Sequence, residues 1–217
     1  MDYRVALDHF SEAPNTEVIV FEEGGHDLLL EREDVMSEIQ RFVAQVRMLS
    51  AEPRAADPQP DPTELNDGLA VRYYLGAFSH VRELEVWMER RNGQPGVPLA
   101  MLDHDMGRGE VLGSGREDYV GAHITGFMAF DAPGTYQFRV TSNDGIRVIL
   151  GGIEIHDDPK VRGTRTSHPI PVVIDEAGLY PLEILYFEKT KDAVLQVFWA
   201  PPDEEDFVAV PAASLSH

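Results

Sequence analysis

From residue 67 onward, apolar and polar positions alternate with period two in a series of short runs: His123–Phe130, Thr135–Thr141, Ile146–Leu150, Pro171–Ile174, Tyr180–Phe187 and Ala193–Trp199. Within one of them, Tyr136, Phe138 and Val140 alternate with Gln137, Arg139 and Thr141, the signature of a half-buried strand. Turn-forming residues punctuate the runs at Ala132-Pro133-Gly134, Asn143-Asp144-Gly145, Gly151-Gly152, Glu176-Ala177-Gly178 and Pro201-Pro202. Many short strands separated by turns predict an all-β unit, a barrel-like antiparallel sandwich, over residues 67–217. Helical periodicity largely disappears there.

The leading residues 1–50 read differently. Val18-Ile19-Val20-Phe21 is a short apolar run of strand type that ends near Gly24-Gly25. From Asp34 to Leu49 the apolar positions Val35, Ile39, Phe42, Val43, Val46 and Leu49 fall on one helical stripe. A strand, a turn and one helix cannot enclose a core, so this strand-turn-helix segment needs a surface to cover. Self-association through residues 17–49 is one expectation. Between the two parts, residues 51–66 hold Pro53, Pro58, Pro60 and Pro62 among acidic and small residues. That composition predicts a semi-rigid linker, with a surface loop of one domain as the alternative.

Charge narrows the function classes. The 217 residues carry 18 Lys and Arg against 38 Asp and Glu, a net charge of −20. A chain this acidic repels phosphate backbones, so nucleic-acid binding is not expected. No apolar run reaches membrane-spanning length, and no membrane insertion is expected. The start, Met1-Asp2-Tyr3-Arg4, shows no signal peptide, and the compartment is left open. Zero Cys removes disulfides, thiolate metal sites and a cysteine nucleophile.

The order of several segments carries a family likeness. These are GLAVRYYLG with Tyr73 and Tyr74, the Gly134-Thr135-Tyr136-Gln137-Phe138 strand, the Ser142-Asn143-Asp144-Gly145-Ile146-Arg147 turn and the Gly151-Gly152 hairpin. Ala177-Gly178-Leu179-Tyr180-Pro181-Leu182, Tyr186-Phe187-Glu188 and a closing Leu195-x-Val197-x-Trp199 with Pro201-Pro202 follow. Together they resemble the protective-antigen-type β-barrel domain (the PA-fourteen domain). The resemblance implies a noncatalytic module that binds carbohydrate or another polyol ligand, in some branches through calcium. Most of the matched residues are scaffold, since glycines serve the turns and the aromatics fill the interior.

In the sugar-binding branches, two consecutive aspartates in the first of these turns hold the calcium. Here the pair is Asn143-Asp144, so only Asp144 keeps the charge. Calcium prefers several hard, charged oxygens, and the neighbouring Glu188-Lys189-Thr190-Lys191-Asp192 segment carries two lysines. Asn143-Asp144-Gly145 is thus either a calcium-binding turn or a hairpin turn chosen for its geometry. Sugar contact without metal remains open, through Asn143, Asp144 and Asp192 and an aromatic platform at Trp87, Tyr119 or Phe127. A second acidic cluster, His156-Asp157-Asp158, precedes Arg162, Arg165 and His168, and Asp157 and Asp158 read either as a salt-bridged loop or as a ligand rim. Asp103-His104-Asp105-Met106-Gly107 fails as a calcium loop, because Arg108 stands where glycine is needed and Ser114 where glutamate is needed.

A second likeness covers residues 1–50. Val18–Phe21 followed by Gly24-Gly25-His26 resembles the last strand and histidine turn of lysophospholipase-type α/β-hydrolases, with Asp34–Leu49 as the final helix. That resemblance makes His26 a vestigial general base and the segment a hydrolase remnant, the alternative being a coincidental strand-turn-helix. No Gly-x-Ser-x-Gly elbow occurs in the chain, so no catalytic residue set and no esterase activity are expected. The competing expectation is the C-terminal piece of a serine hydrolase.

Overall fold

The computed structural model describes residues 52–217, and the expectations for residues 1–50, including His26 and self-association through residues 17–49, lie outside them. The elements run β1 (Ala70–Leu75), α1 (Val81–Arg90), β2 (Gln94–Pro95), β3 (Asp103–Gly107), β4 (Val120–Phe130), β5 (Gly134–Asn143) and β6 (Ile146–Leu150). They continue with β7 (Ile153–Asp158), β8 (Arg165–Thr166), β9 (Ile170–Ile174), β10 (Gly178–Glu188), β11 (Ala193–Ala200), β12 (Val208–Ala209) and β13 (Leu215–Ser216). Each of the six runs with period-two alternation lies within one of these strands.

The strands form two antiparallel sheets. The first has the order β2-β1-β4-β10-β6-β7 and the second β12-β11-β5-β8. The long strands each serve several partners. β4 pairs β10 along one edge and shares the other between β1 and β13; β5 pairs β11 on one edge and β9 and β8 on the other. The architecture is a sandwich, as expected. The two sheets remain separate, since no ladder joins them into a closed barrel among the described residues.

Between the sheets lies one apolar core. At its centre the ring of Phe130 meets those of Tyr136, Tyr180 and Trp199 at 4.8, 5.1 and 5.6 Å between centroids. These contacts come from β4, β5, β10 and β11, so the aromatics read from the sequence as filling the interior do so.

The helix α1 was not foreseen. Val81, Leu84 and Met88 recur at its inner face, and Val81 and Leu84 are buried. His80 Nδ1 accepts from the Arg82 amide at 3.1 Å, and Glu83 accepts from the Ser79 amide at 2.9 Å, which together satisfy the helix start. The helix covers the outer face of the first sheet, where Tyr74, Phe78, Leu185 and Phe187 pack against it. That cover explains why β10 is buried on both faces from Ile184 to Glu188. A ten-residue helix among strands gives too few turns for its stripe to stand out from the alternation around it.

The proline-rich segment is docked rather than hanging free over its described length. The amide of Arg54 donates to Gly151 O at 3.0 Å, that of Ala56 to Leu179 O at 2.8 Å, and Gln59 Oε1 accepts from the Leu179 amide at 2.8 Å. Gly151, at φ +55°, leaves the space that the Arg54 backbone occupies. Asn66 and His217 exchange two backbone bonds of 2.9 Å, so the folded unit extends upstream of residue 67.

Candidate functional site

Four polar residues are buried among the described ones: Ser142, Asn143, Asp144 and Glu188. All four sit at one end of the sandwich, where β5 and β10 finish and β11 begins. A buried polar group requires partners, and most of these have them. The side chain of Asp144 accepts two backbone bonds, from the Arg162 amide to Oδ1 at 2.8 Å and from the Lys189 amide to Oδ2 at 2.9 Å. It thereby joins the β5–β6 turn to the β7–β8 and β10–β11 loops. Asn143 Nδ2 donates to Thr164 Oγ1 at 3.2 Å, and Tyr186 donates its hydroxyl to Asn143 O at 2.6 Å. The Asn143–Asp144 peptide is cis.

Arg162 completes the corner. Its Nε donates to Asp158 Oδ2 at 2.5 Å, Nη1 to Ser142 O at 2.6 Å and to Gly163 O at 3.1 Å, and Nη2 to Ser142 Oγ at 2.7 Å. Burial lowers its pKa, and Asp158 and Asp144 oppose that shift. Glu188 is the exception to satisfaction, since both carboxylate oxygens are enclosed without a hydrogen-bond partner. Burial first, then the neighbouring Asp118 and Asp144 charges, push its pKa up to about 8.

The sequence-derived candidates divide accordingly. Asn143 adjoins Asp144 in the same turn, with its side chain on Thr164, and Asp144 and Asp158 are brought together through Arg162. Asp157 is not, because it pairs with Arg147 at 2.9 Å on the face of the first sheet. Asp192 stands on the rim, exposed, 3.7 Å from Arg108. Of the three aromatics, Tyr119 is 46% exposed beside the corner, with its amide donating to Lys189 O at 3.2 Å. Trp87 packs edge-on to Phe78 at 5.1 Å with Arg91 stacked on its ring, and Phe127 lies toward the opposite end of β4, so neither can form a platform here. His104 bonds Met101 O at 2.9 Å, and Asp103 accepts from Gln196 at 2.7 Å across the β3–β11 ladder.

Arg162 and Glu188 are the members of this corner that sequence reasoning undervalued. Glu188 shares its parity with Ile184 and Tyr186, which the alternation of β10 places inward, so its burial had a signal. For Arg162 the sequence signalled only the nearby Asp158, four residues away, and not its bonds to Ser142, twenty residues away.

Calcium would draw on Asn143 and Asp144. The Lys189 ammonium reaches Ser79 Oγ at 2.9 Å and so points away. Yet each Asp144 oxygen already accepts an amide, and the charged Arg162 fork is fixed to the adjoining Ser142. Among the described residues no three His, Asp or Glu side chains gather as a metal cage. This donor set does not fit a dedicated calcium centre.

Comparison with known proteins agrees on the fold. Residues 111–212 match the family model of the PA14 domain. No curated protein matches the chain in sequence. Among solved structures, the PA14 domain of the MpAFP antifreeze protein is similar at TM-score 0.57 and 17% identity, covering 76% of this chain and 96% of that one. A PA14 sugar-binding domain from an RTX adhesin is similar at TM-score 0.56 and 19% identity, covering 70% and 98%. A subtype-switched epithelial adhesin A domain from Candida glabrata, in complex with beta-lactose, is similar at TM-score 0.59 and 12% identity, covering 77% and 95%.

Proposed function

We propose that the PA14 domain of this chain is a noncatalytic carbohydrate-binding module, and that its ligand meets the sandwich at the Asn143–Asp144 end. The observation that carries the reading is the confinement of every buried polar residue among the described ones to that end. The hydrogen bonds of this cluster fix three loops around one end of the sandwich, and polar loops held in fixed geometry suit recognition of a polar ligand. The sugar-binding neighbours on the same fold support the chemical class.

The loops offer what a sugar needs. Asn143 is buried and holds Thr164 through its amide, while Thr164, Thr190 and Asp192 are exposed in the loops of this end and Tyr119 offers an aromatic face. Hydroxyl groups of a glycan would bond the first set and its apolar ring face would lie on Tyr119. The noncatalytic part rests on the sequence, in which no Gly-x-Ser-x-Gly elbow occurs to supply a nucleophile.

For residues 1–50 the hydrolase-tail likeness remains a proposal. Within this chain His26 has no elbow serine to activate. A glycan array with and without calcium tests the carbohydrate reading. Saturable binding to a defined sugar class supports it, and silence across a broad panel overturns it.

A further inference from the structure

We infer that Arg162 is the resident cation of the Asn143–Asp144 corner, a positioning residue that holds the binding loops in place without calcium. The inference deepens the carbohydrate reading, which supplies the ligand, while the assembly of the corner is argued from its own geometry.

Two carboxylates, Asp144 in the β5–β6 turn and Asp158 at the end of β7, face this joint, and the Arg162 side chain between them is only 10% exposed. Bringing them together without a positive charge would leave like charges close in a poorly hydrated place. Arg162 supplies that charge and, in addition, a fixed geometry. Four side-chain bonds use most of its five donors, and its own backbone amide is the one that Asp144 Oδ1 accepts. One residue therefore ties β5 to the β7–β8 loop through both main chain and side chain. A bound metal ion would do the same by collecting oxygens from several loops. Here the oxygens of Ser142, Gly163 and Asp158 converge on a guanidinium instead. A planar fork suits that task, whereas a lysine ammonium would keep the charge and lose the geometry.

The experiment uses the full chain and needs no sugar, so its failure is separate from failure of the carbohydrate reading. Amide hydrogen exchange is followed in residues 159–166 for wild type, Arg162→Gln and Arg162→Lys, with β4 and β10 as reporters of intact fold. Calcium chloride is titrated into wild type by calorimetry against chelator. The expected result is exchange at least about tenfold faster in the loop of R162Q, with β4 and β10 still protected, and an intermediate loop rate in R162K. Wild type should show no calcium heat and no calcium effect on loop exchange. Stoichiometric calcium uptake by wild type with added loop protection overturns the inference. So does an R162Q loop as protected as wild type, or an R162K loop as open as that of R162Q. Should R162Q fail to fold, the lysine variant and the calcium titration still decide.

Discussion

The amide of Lys189 donates to Asp144 Oδ2 at 2.9 Å, across a separation of 45 residues, and so fastens the β10–β11 loop to the β5–β6 turn. With the Arg162 amide on the other oxygen, a single carboxylate serves three loops. Replacing Asp144 with alanine leaves two amide donors without their acceptor. We expect D144A to lose about 1–3 kcal/mol in urea denaturation and to abolish glycan binding, while Asp192→Ala on the exposed rim leaves stability unchanged. A D144A protein as stable as wild type would show that the loops are held by something else.

Tyr119 offers the opposite case. It is exposed, so its removal should not disturb the core. Tyr119→Ala is expected to keep the wild-type melting temperature and to weaken glycan affinity about tenfold, roughly 1.4 kcal/mol. Calorimetry and a thermal melt on the same preparation separate the two effects; equal affinity would remove Tyr119 from the ligand surface.

Strand placement was legible from the sequence because one face of each strand is buried and the other solvated, as in Tyr136 through Thr141. The corner was less legible. Asn143 and Asp144 were singled out by their position in the turn, but Asp157 and Asp158, adjacent in sequence, alternate on β7 toward different partners, Arg147 and Arg162. Period-two geometry separates neighbours in this way, and only the register of β6 with β7 tells which one turns to the corner. The alternation of β10 turned Glu188 inward and Asp158 stands four residues from Arg162, but the bonds of Arg162 to Ser142 cross twenty residues, which no local pattern records. The α1 helix escaped notice for its brevity, and the prolines that suggested a spacer also suit an extended segment docked by its remaining amides.

The unforeseen helix gives its own test. Leu84 is fully buried against Phe78 and Phe187, and a Cβ at Gly121 would come within 2.7 Å of Leu84 Cδ1. Leu84→Ala should cost roughly 2–5 kcal/mol through the cavity it leaves. Gly121→Ala should cost about 1–3 kcal/mol through overpacking. Both are read from chemical denaturation, and a neutral outcome for both would mean that α1 does not pack on this sheet.

Glu188 and the partly buried His156 set opposite slopes of stability with pH. Glu188 titrates at about 8 in the folded chain against an ordinary 4.5, so the native state holds its proton more tightly and stability falls as pH rises through that interval. His156 is lowered by burial to about 4 from 6.5, so its contribution is complete above 6.5 and is lost as pH falls toward 4. The two oppose each other in mildly acidic solution, and above the ordinary histidine value only the Glu188 slope remains, at most about 1.4 kcal/mol per pH unit. Glu188→Gln should flatten the decline on the alkaline side in denaturation curves taken at a series of pH values. An unchanged decline would mean that Glu188 is already ionised in the native protein.

The carbohydrate reading is tested most directly by mapping amide shifts in a heteronuclear spectrum while a galactoside such as beta-lactose, and then a broader glycan panel, is titrated into the protein. The account predicts saturable shifts confined to residues 142–145, 162–166 and 188–192 and to Tyr119. Shifts centred on another part of the sandwich, or a spectrum unmoved by every glycan, would contradict it.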